Sequence, residues 1–121
     1  MAQEPPPHQR RGREAEDAAC SQLTQHGLRL LARNYRSPWG EIDLVMQDGV
    51  TLVFVEVRYR AGTAFGAPAE TVDRGKQARL RATAEHYLQH ARGASRKACR
   101  FDIVAITGGP DGGLDWLRNA F

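Results

Sequence analysis

"GEIDLVMQDGVTLVFVEVRYR", Gly40 to Arg60, reads as two apolar runs meeting at Asp48-Gly49, a dipeptide that favours the tight turn of a hairpin. Each run is interrupted by a carboxylate, Asp43 in the first and Glu56 in the second. Carboxylates seldom enter a buried sheet unless they are paired or bind metal. With Asp48 and Gly49 as the loop, Gln47 faces Val50, Asp43 faces Phe54 and Glu41 faces Glu56. Side chains alternate along a strand, so Glu41, Asp43, Phe54, Glu56 and Arg58 share one side, and Ile42, Leu44, Val53, Val55 and Val57 the other. Asp43 and Glu56 are then diagonal neighbours with Cβ atoms up to about 7–8 Å apart, a gap that a divalent cation with oxygen ligands can bridge. A one-residue change of register would dissolve the cluster.

Carboxylates gathered on one face repel one another and lose hydration, so the pattern calls for cations. Mg²⁺, or Mn²⁺ in its place, takes oxygen ligands, usually one or two carboxylates plus water or phosphate oxygens. Such an ion activates water and stabilises the leaving oxygen of a phosphodiester. Arg58, two residues after Glu56, adds a fixed positive charge beside them. A structural salt-bridge cluster, with Arg58 pairing Glu56 or Glu41, accounts for the same residues.

Outward from the hairpin, "REAEDAACSQLTQHG" carries Ala15, Ala18, Ala19 and Leu23 at helical spacing and closes on Gly27, a helix. "LRLLARNYR" is a strand broken by Ser37-Pro38. "TVDRGKQARLRATAEHYLQHARG" puts Leu80, Ala84, Tyr87, Leu88 and Ala91 on one stripe, a long amphipathic helix. "RFDIVAI" and "LDWLRN" are strands around a glycine-rich turn. The predicted order is α-β-β-β-α-β-β: one α/β domain over 13–121, a mixed sheet flanked by helices, behind a flexible tail at 1–12. A chain of 121 residues, 41% hydrophobic and 26% charged, has the composition of one folded domain. It has no apolar run for a signal-peptide core or a membrane helix, and two cysteines without a disulfide or zinc pattern make the cytoplasm the expected compartment.

The net charge of +3 is unevenly spread: between Val57 and Arg100 stand ten basic residues against three acids. Such a block suits a polyanion, and Arg74, Lys76, Arg79 and Arg81 on the second helix are the candidates for backbone phosphates; a solvated helix face explains the same clustering. His86 and His90 have the i, i+4 spacing of a zinc pair but lack an evident third ligand, so they read as surface histidines. Trp39 suits base stacking or packing over the sheet edge.

Asp43 followed after a hairpin by Glu56-Val57-Arg58 resembles the PD-(D/E)xK nuclease superfamily. "GEIDLV", "LVFVEVR", "AFGAPAE", "KQARL" and "RNAF" resemble its YraN-like bacterial branch, which is similar in fold to archaeal Holliday-junction resolvases. The resemblance runs from Arg13 to Phe121. It implies a restriction-endonuclease-like core in which Glu16, Asp43 and Glu56 hold the metal and act in catalysis with Arg58, and in which DNA, branched or junction DNA included, is the partner. Glu16 lies on the inward stripe Glu16, Cys20, Leu23; Gln77, an amide on the apolar face of the second helix, is expected to hydrogen-bond a metal-bound water or a strand acid, or else backbone. Two features depart from the pattern: Ala15 stands where the branch often has Gly, and Arg58 where the superfamily usually has Lys. If the position handles a proton, Arg58→Lys is expected to raise cleavage, since Arg cannot deprotonate. The expected function is metal-dependent hydrolysis of DNA by an enzyme that forms a homodimer if it cuts junctions. The alternative is a noncatalytic nucleic-acid-binding or protein-interaction module on the same fold.

Overall fold

The computed structural model describes residues 7–60, 72–91, 93, 97–108 and 112–121, with side chains from Gly12 onward and none at Arg60. The AFGAPAE stretch at 64–70 and the basic residues Arg92 and Arg96 lie outside the described residues. Helix α1 (Pro7–Gln25) leads into β1 (Arg29–Ser37), β2 (Gly40–Asp48) and β3 (Thr51–Arg60); α2 (Arg74–His90) is followed by β4 (Cys99–Thr107) and β5 (Leu114–Leu117). This is the predicted α-β-β-β-α-β-β order, though α1 begins at Pro7, inside the stretch read as a tail. No helix among the described residues is long and apolar enough to cross a membrane.

The five strands form one sheet in sequence order, antiparallel except for β3 beside β4. The parallel step needs a crossover, which α2 supplies. Asp73 caps α2 by accepting from the Lys76 N–H (2.8 Å). One face of the sheet packs Leu44, Met46, Val53, Val55 and Val104 against Ala19 and Leu23 of α1. The other packs Val45, Leu52, Phe54, Phe101 and Ile103 against Val72 and the Leu80–Ala84 stripe of α2. The alternating apolar residues of β2 and β3 thus each reach a helix, and both faces are covered.

The hairpin differs from its predicted register. Asp48 pairs with Thr51, Gln47 with Leu52 and Leu44 with Val55, so the two-residue loop is Gly49-Val50, not Asp48-Gly49. Gly49 takes a φ of +60° at the first loop position, while Val50, 81% exposed, is not left-handed. That is the pattern of a type II′ turn, which asks for glycine at its first central position. Partners move by two residues, a shift that by itself keeps the predicted facing, and Asp43 comes level with Glu56.

Beyond Leu44↔Val55 the two strands cease to pair. From Gly40 to Asp43, β2 follows only β1, and from Glu56 to Arg60, β3 follows only β4. The sheet therefore forks, with Asp43 and Glu56 at the base of the fork. Ile42 is the exception to the predicted facing: it joins the α2-side cluster with Leu80 and Phe54, whereas Leu44 stays with α1. A strand that parts from its neighbour is free to rotate, and the switch between Ile42 and Leu44 is the consequence.

Candidate metal centre at the sheet fork

Asp43 closes the gap that the fork opens. Its Oδ2 accepts the Val57 N–H at 2.8 Å, replacing a ladder bond that β2 no longer offers. Glu56, on the α2 side of β3, is buried. Since the fork separates the strands, side chains from both helix layers reach this point. Glu16 comes from α1, and Lys76 from the first turn of α2.

Two polar links hold the acids. The Asn34 side-chain amide donates to Glu41 Oε1 (2.8 Å) and Glu16 Oε1 (3.1 Å), bridging a strand acid and a helix acid. Asn34 sits level with Asp43, between the Arg33↔Leu44 and Tyr35↔Ile42 pairs, with a φ of +53°. Asn tolerates that left-handed conformation better than most residues, and here it turns the amide toward the acids. On the opposite side, Lys76 Nζ lies 2.7 Å from Glu56 Oε1, and Arg58 Nε lies 4.0 Å from the same oxygen. Arg36 reaches Glu41 (3.3 Å) and Arg33 reaches Asp17 (2.7 Å) and Glu16 (3.6 Å) from the solvent edge.

The electrostatic result is concentrated on Asp43. Burial, the neighbouring Glu56 carboxylate and then Glu16 and Glu41 push its carboxyl from the ordinary 3.8 up to about 8, against the Val57 N–H, which pulls it down. Burial first, and the crowding acids second, keep the proton on this carboxyl near neutrality.

Of the residues singled out from sequence, Glu16, Asp43, Glu56 and Arg58 meet at the fork. Gln77 does not join them: its amide donates to the Val72 carbonyl (3.0 Å), tying down the chain before α2. Lys76, read as a phosphate contact, pairs with Glu56. Arg81 lies over the Phe101 and Phe121 rings, 5.2 and 5.4 Å from their centroids, and anchors the C-terminal residues. Arg74 and Arg79 remain on the exposed surface of α2. Cys20 and Cys99 are free thiols, as expected. Among the described residues, no three His, Cys, Asp or Glu side chains are grouped so as to hold a metal ion as they stand, His86 and His90 included. The oxygens at the fork are engaged by Asn34 and Lys76 instead. Asn34 escaped the sequence reading; the available signal was a turn-favouring residue inside the strand "LLARNYR".

Comparison with known proteins adds a family. The profile described as "Uncharacterised protein family UPF0102" matches residues 15–106, from α1 to the end of β4. A UPF0102 protein of Nitrosococcus oceani is 50% identical over 119 residues, covering 97% of this chain and 95% of its own. Similar proteins of the same description occur in Stutzerimonas stutzeri, 54% identical with 91% and 92% covered, and Shewanella amazonensis, 50% identical with 91% and 97% covered. With half the residues identical and nearly the full length of both chains aligned, this chain belongs to the UPF0102 family.

Proposed function

We propose that the fork is the active site of a metal-dependent phosphodiesterase acting on DNA. The observation that carries the reading is the field of Glu56, Glu16 and Glu41 on Asp43 where the sheet splits, the Asp43 carboxyl being pushed up to about 8 by burial first and by those acids next. The all-oxygen donor set suits a hard divalent cation, provided that Asn34 and Lys76 release the oxygens they engage. Asp43 and Glu56, joined by Glu16, would hold Mg²⁺ or Mn²⁺, which when bound supplies charge neutralisation and lowers the pKa of water.

The remaining chemistry belongs to the chain itself. Hydrolysis joins a water oxygen to phosphorus, opens one P–O ester bond, releases one water proton and delivers a proton to the leaving oxygen. Lys76 presents an ammonium with three donors, one of them engaged by Glu56. The other two suit a phosphoryl oxygen or the leaving oxygen. Arg58, beside the same carboxylate, adds charge without exchanging a proton. The amine that the superfamily pattern puts two residues after Glu56 would thus come from α2. Arg74 and Arg79 would hold backbone phosphates, which position a strand without reading its sequence.

The Lys76–Glu56 pair and the Asn34 bridge also favour a second reading, a binding module whose acids are neutralised from within. Incubation of the purified protein with plasmid, single-stranded and branched DNA, with Mg²⁺, with Mn²⁺ and with chelator, separates the two. The enzyme reading expects nicked or cut product only with a divalent ion, and none from Asp43→Asn or Glu56→Gln. DNA binding with no cleavage under any condition leaves the module.

A further inference from the structure

Lys76, Arg79, Thr83, His86 and His90 succeed one another at steps of three and four residues, so they lie on one face of α2. That face begins in the acid cluster, where Lys76 meets Glu56, and runs roughly 20 Å to His90 at 1.5 Å per residue. The loop between β1 and β2 is fastened against it. Ser37 Oγ hydrogen-bonds Thr83 Oγ1 (2.8 Å) and accepts the Trp39 N–H (3.1 Å), and a Cβ on Gly40 would stand 3.7 Å from Arg79 Cβ. So held, the Trp39 indole is 54% exposed, with the His86 ring edge-on at 6.2 Å. Tyr35 fixes His86 through a 2.6 Å bond to Nδ1, and His90 stacks on His86 at 4.0 Å and 15°. Trp39 is two residues from Glu41 along the chain. Arg36, Arg74 and Arg79 are exposed, Arg36 with Glu41 as its partner.

We propose that this face is the track of a single nucleic-acid strand whose bases are unpaired, its backbone held by Arg79 and its flanking arginines and a base stacked on Trp39. The chemistry decides the partner. Exposed cations on the helix that holds the loop of an exposed indole offer, together with that indole, partners for both phosphates and base faces, and a base face is available only where the strand has left its duplex. A paired duplex would use the cations and leave the rings idle. The proposal rests on the phosphodiesterase reading in one respect: that reading brings a phosphate of the same strand to the fork.

The test is fluorescence anisotropy of labelled oligothymidylate and of a labelled duplex of equal length, in chelator so that nothing is cut. Trp39→Ala should weaken oligothymidylate binding about tenfold, as loss of one stacked base does, and change duplex binding less than about twofold. Trp39→Phe, which keeps a ring, should restore most of the affinity. Oligothymidylate should also quench the tryptophan emission of the wild type and not that of Trp39→Phe, whose remaining Trp116 is held by Asp102. Unchanged oligothymidylate affinity in Trp39→Ala, or an equal loss for both ligands, overturns the track. Duplex binding without oligothymidylate binding overturns it and leaves the phosphodiesterase reading standing. No binding to either DNA removes both. Sedimentation showing a wild-type dimer that Trp39→Ala dissolves, with DNA affinity unaltered, would make the face a protein interface and overturn the proposal as well.

Discussion

Asp43→Asn is expected to make the metal-free protein more stable at alkaline pH, which is unusual for a change at a functional site. In the folded protein the Asp43 carboxyl keeps its proton up to about 8, whereas in the unfolded chain it loses it near 3.8. Between those values the folded state binds more protons than the unfolded state, so stability falls as pH rises. The contribution is fully favourable below 3.8 and lost once pH passes 8. At 1.36 kcal/mol per pH unit the whole gap corresponds to about 6 kcal/mol, of which about 4 falls between pH 5 and pH 9. Asn has no proton to lose and keeps an oxygen for the Val57 N–H, so the fork geometry survives the substitution. Urea denaturation of chelated wild type and Asp43→Asn at pH 5, 7 and 9 should show curves that diverge with pH, the variant ahead by several kcal/mol at pH 9. Two proteins with parallel pH dependence would mean that Asp43 ionises normally and that neither burial nor the neighbouring acids raise it.

Three other outcomes follow from the same geometry. With Mn²⁺, Lys76→Met should lower single-turnover cleavage by about 10²–10⁴-fold, the usual worth of a proton-handling group, while Arg58→Lys changes it little because the amine is already at Glu56; a large gain from Arg58→Lys with no loss from Lys76→Met would return the role to the strand. Arg74→Ala and Arg79→Ala should each reduce the salt slope of duplex binding by about 0.9 per lost phosphate contact, whereas Arg81→Ala should leave it unchanged, since Arg81 is committed to Phe101 and Phe121; a slope change in Arg81→Ala alone would reverse that assignment. Asp102→Ala should cost about 3–5 kcal/mol in urea denaturation, because a fully buried carboxylate accepts from Arg100, Trp116 and the Asn119 N–H and ties the C-terminal residues to β4; a loss below about 1 kcal/mol would make that network incidental.

The elements were legible because period and punctuation agree in this sequence. Alternation in Gly40–Asp48 and Thr51–Arg60, the Leu80–Ala84–Tyr87 stripe and the breaks at Gly27 and Ser37-Pro38 each point to one element type. Asp43 and Glu56 stood out because acids in apolar strands need a reason. Two things were hidden. The turn was misread because Asp-Gly and Gly-Val are both acceptable loops, and only cross-strand packing chooses between them; the error moved partners by two and so spared the facing. The fork itself leaves no periodic trace, since it is a failure of pairing between strands that remain regular. Without it, Ile42 is expected on the wrong side, and no reason exists for α1 and α2 to contribute to one site. The pairing of Lys76 was hidden for the same cause: helical spacing says which residues share a face, not that the first turn of α2 ends against a carboxylate in β3. Gln77, its neighbour, turned back to Val72 and left the acids to Lys76.

The claim on which the account rests is that the fork takes a divalent cation in place of a proton. Calorimetric titration of Mn²⁺ at pH 7, repeated in buffers of different ionisation enthalpy, counts both the ions bound and the protons released. A carboxyl pushed up to about 8 is largely protonated at that pH and must give up its proton to a metal, so the account predicts one ion bound with close to one proton released. Asp43→Asn should abolish that proton release. Binding heat without proton release, or no binding at all, would contradict it.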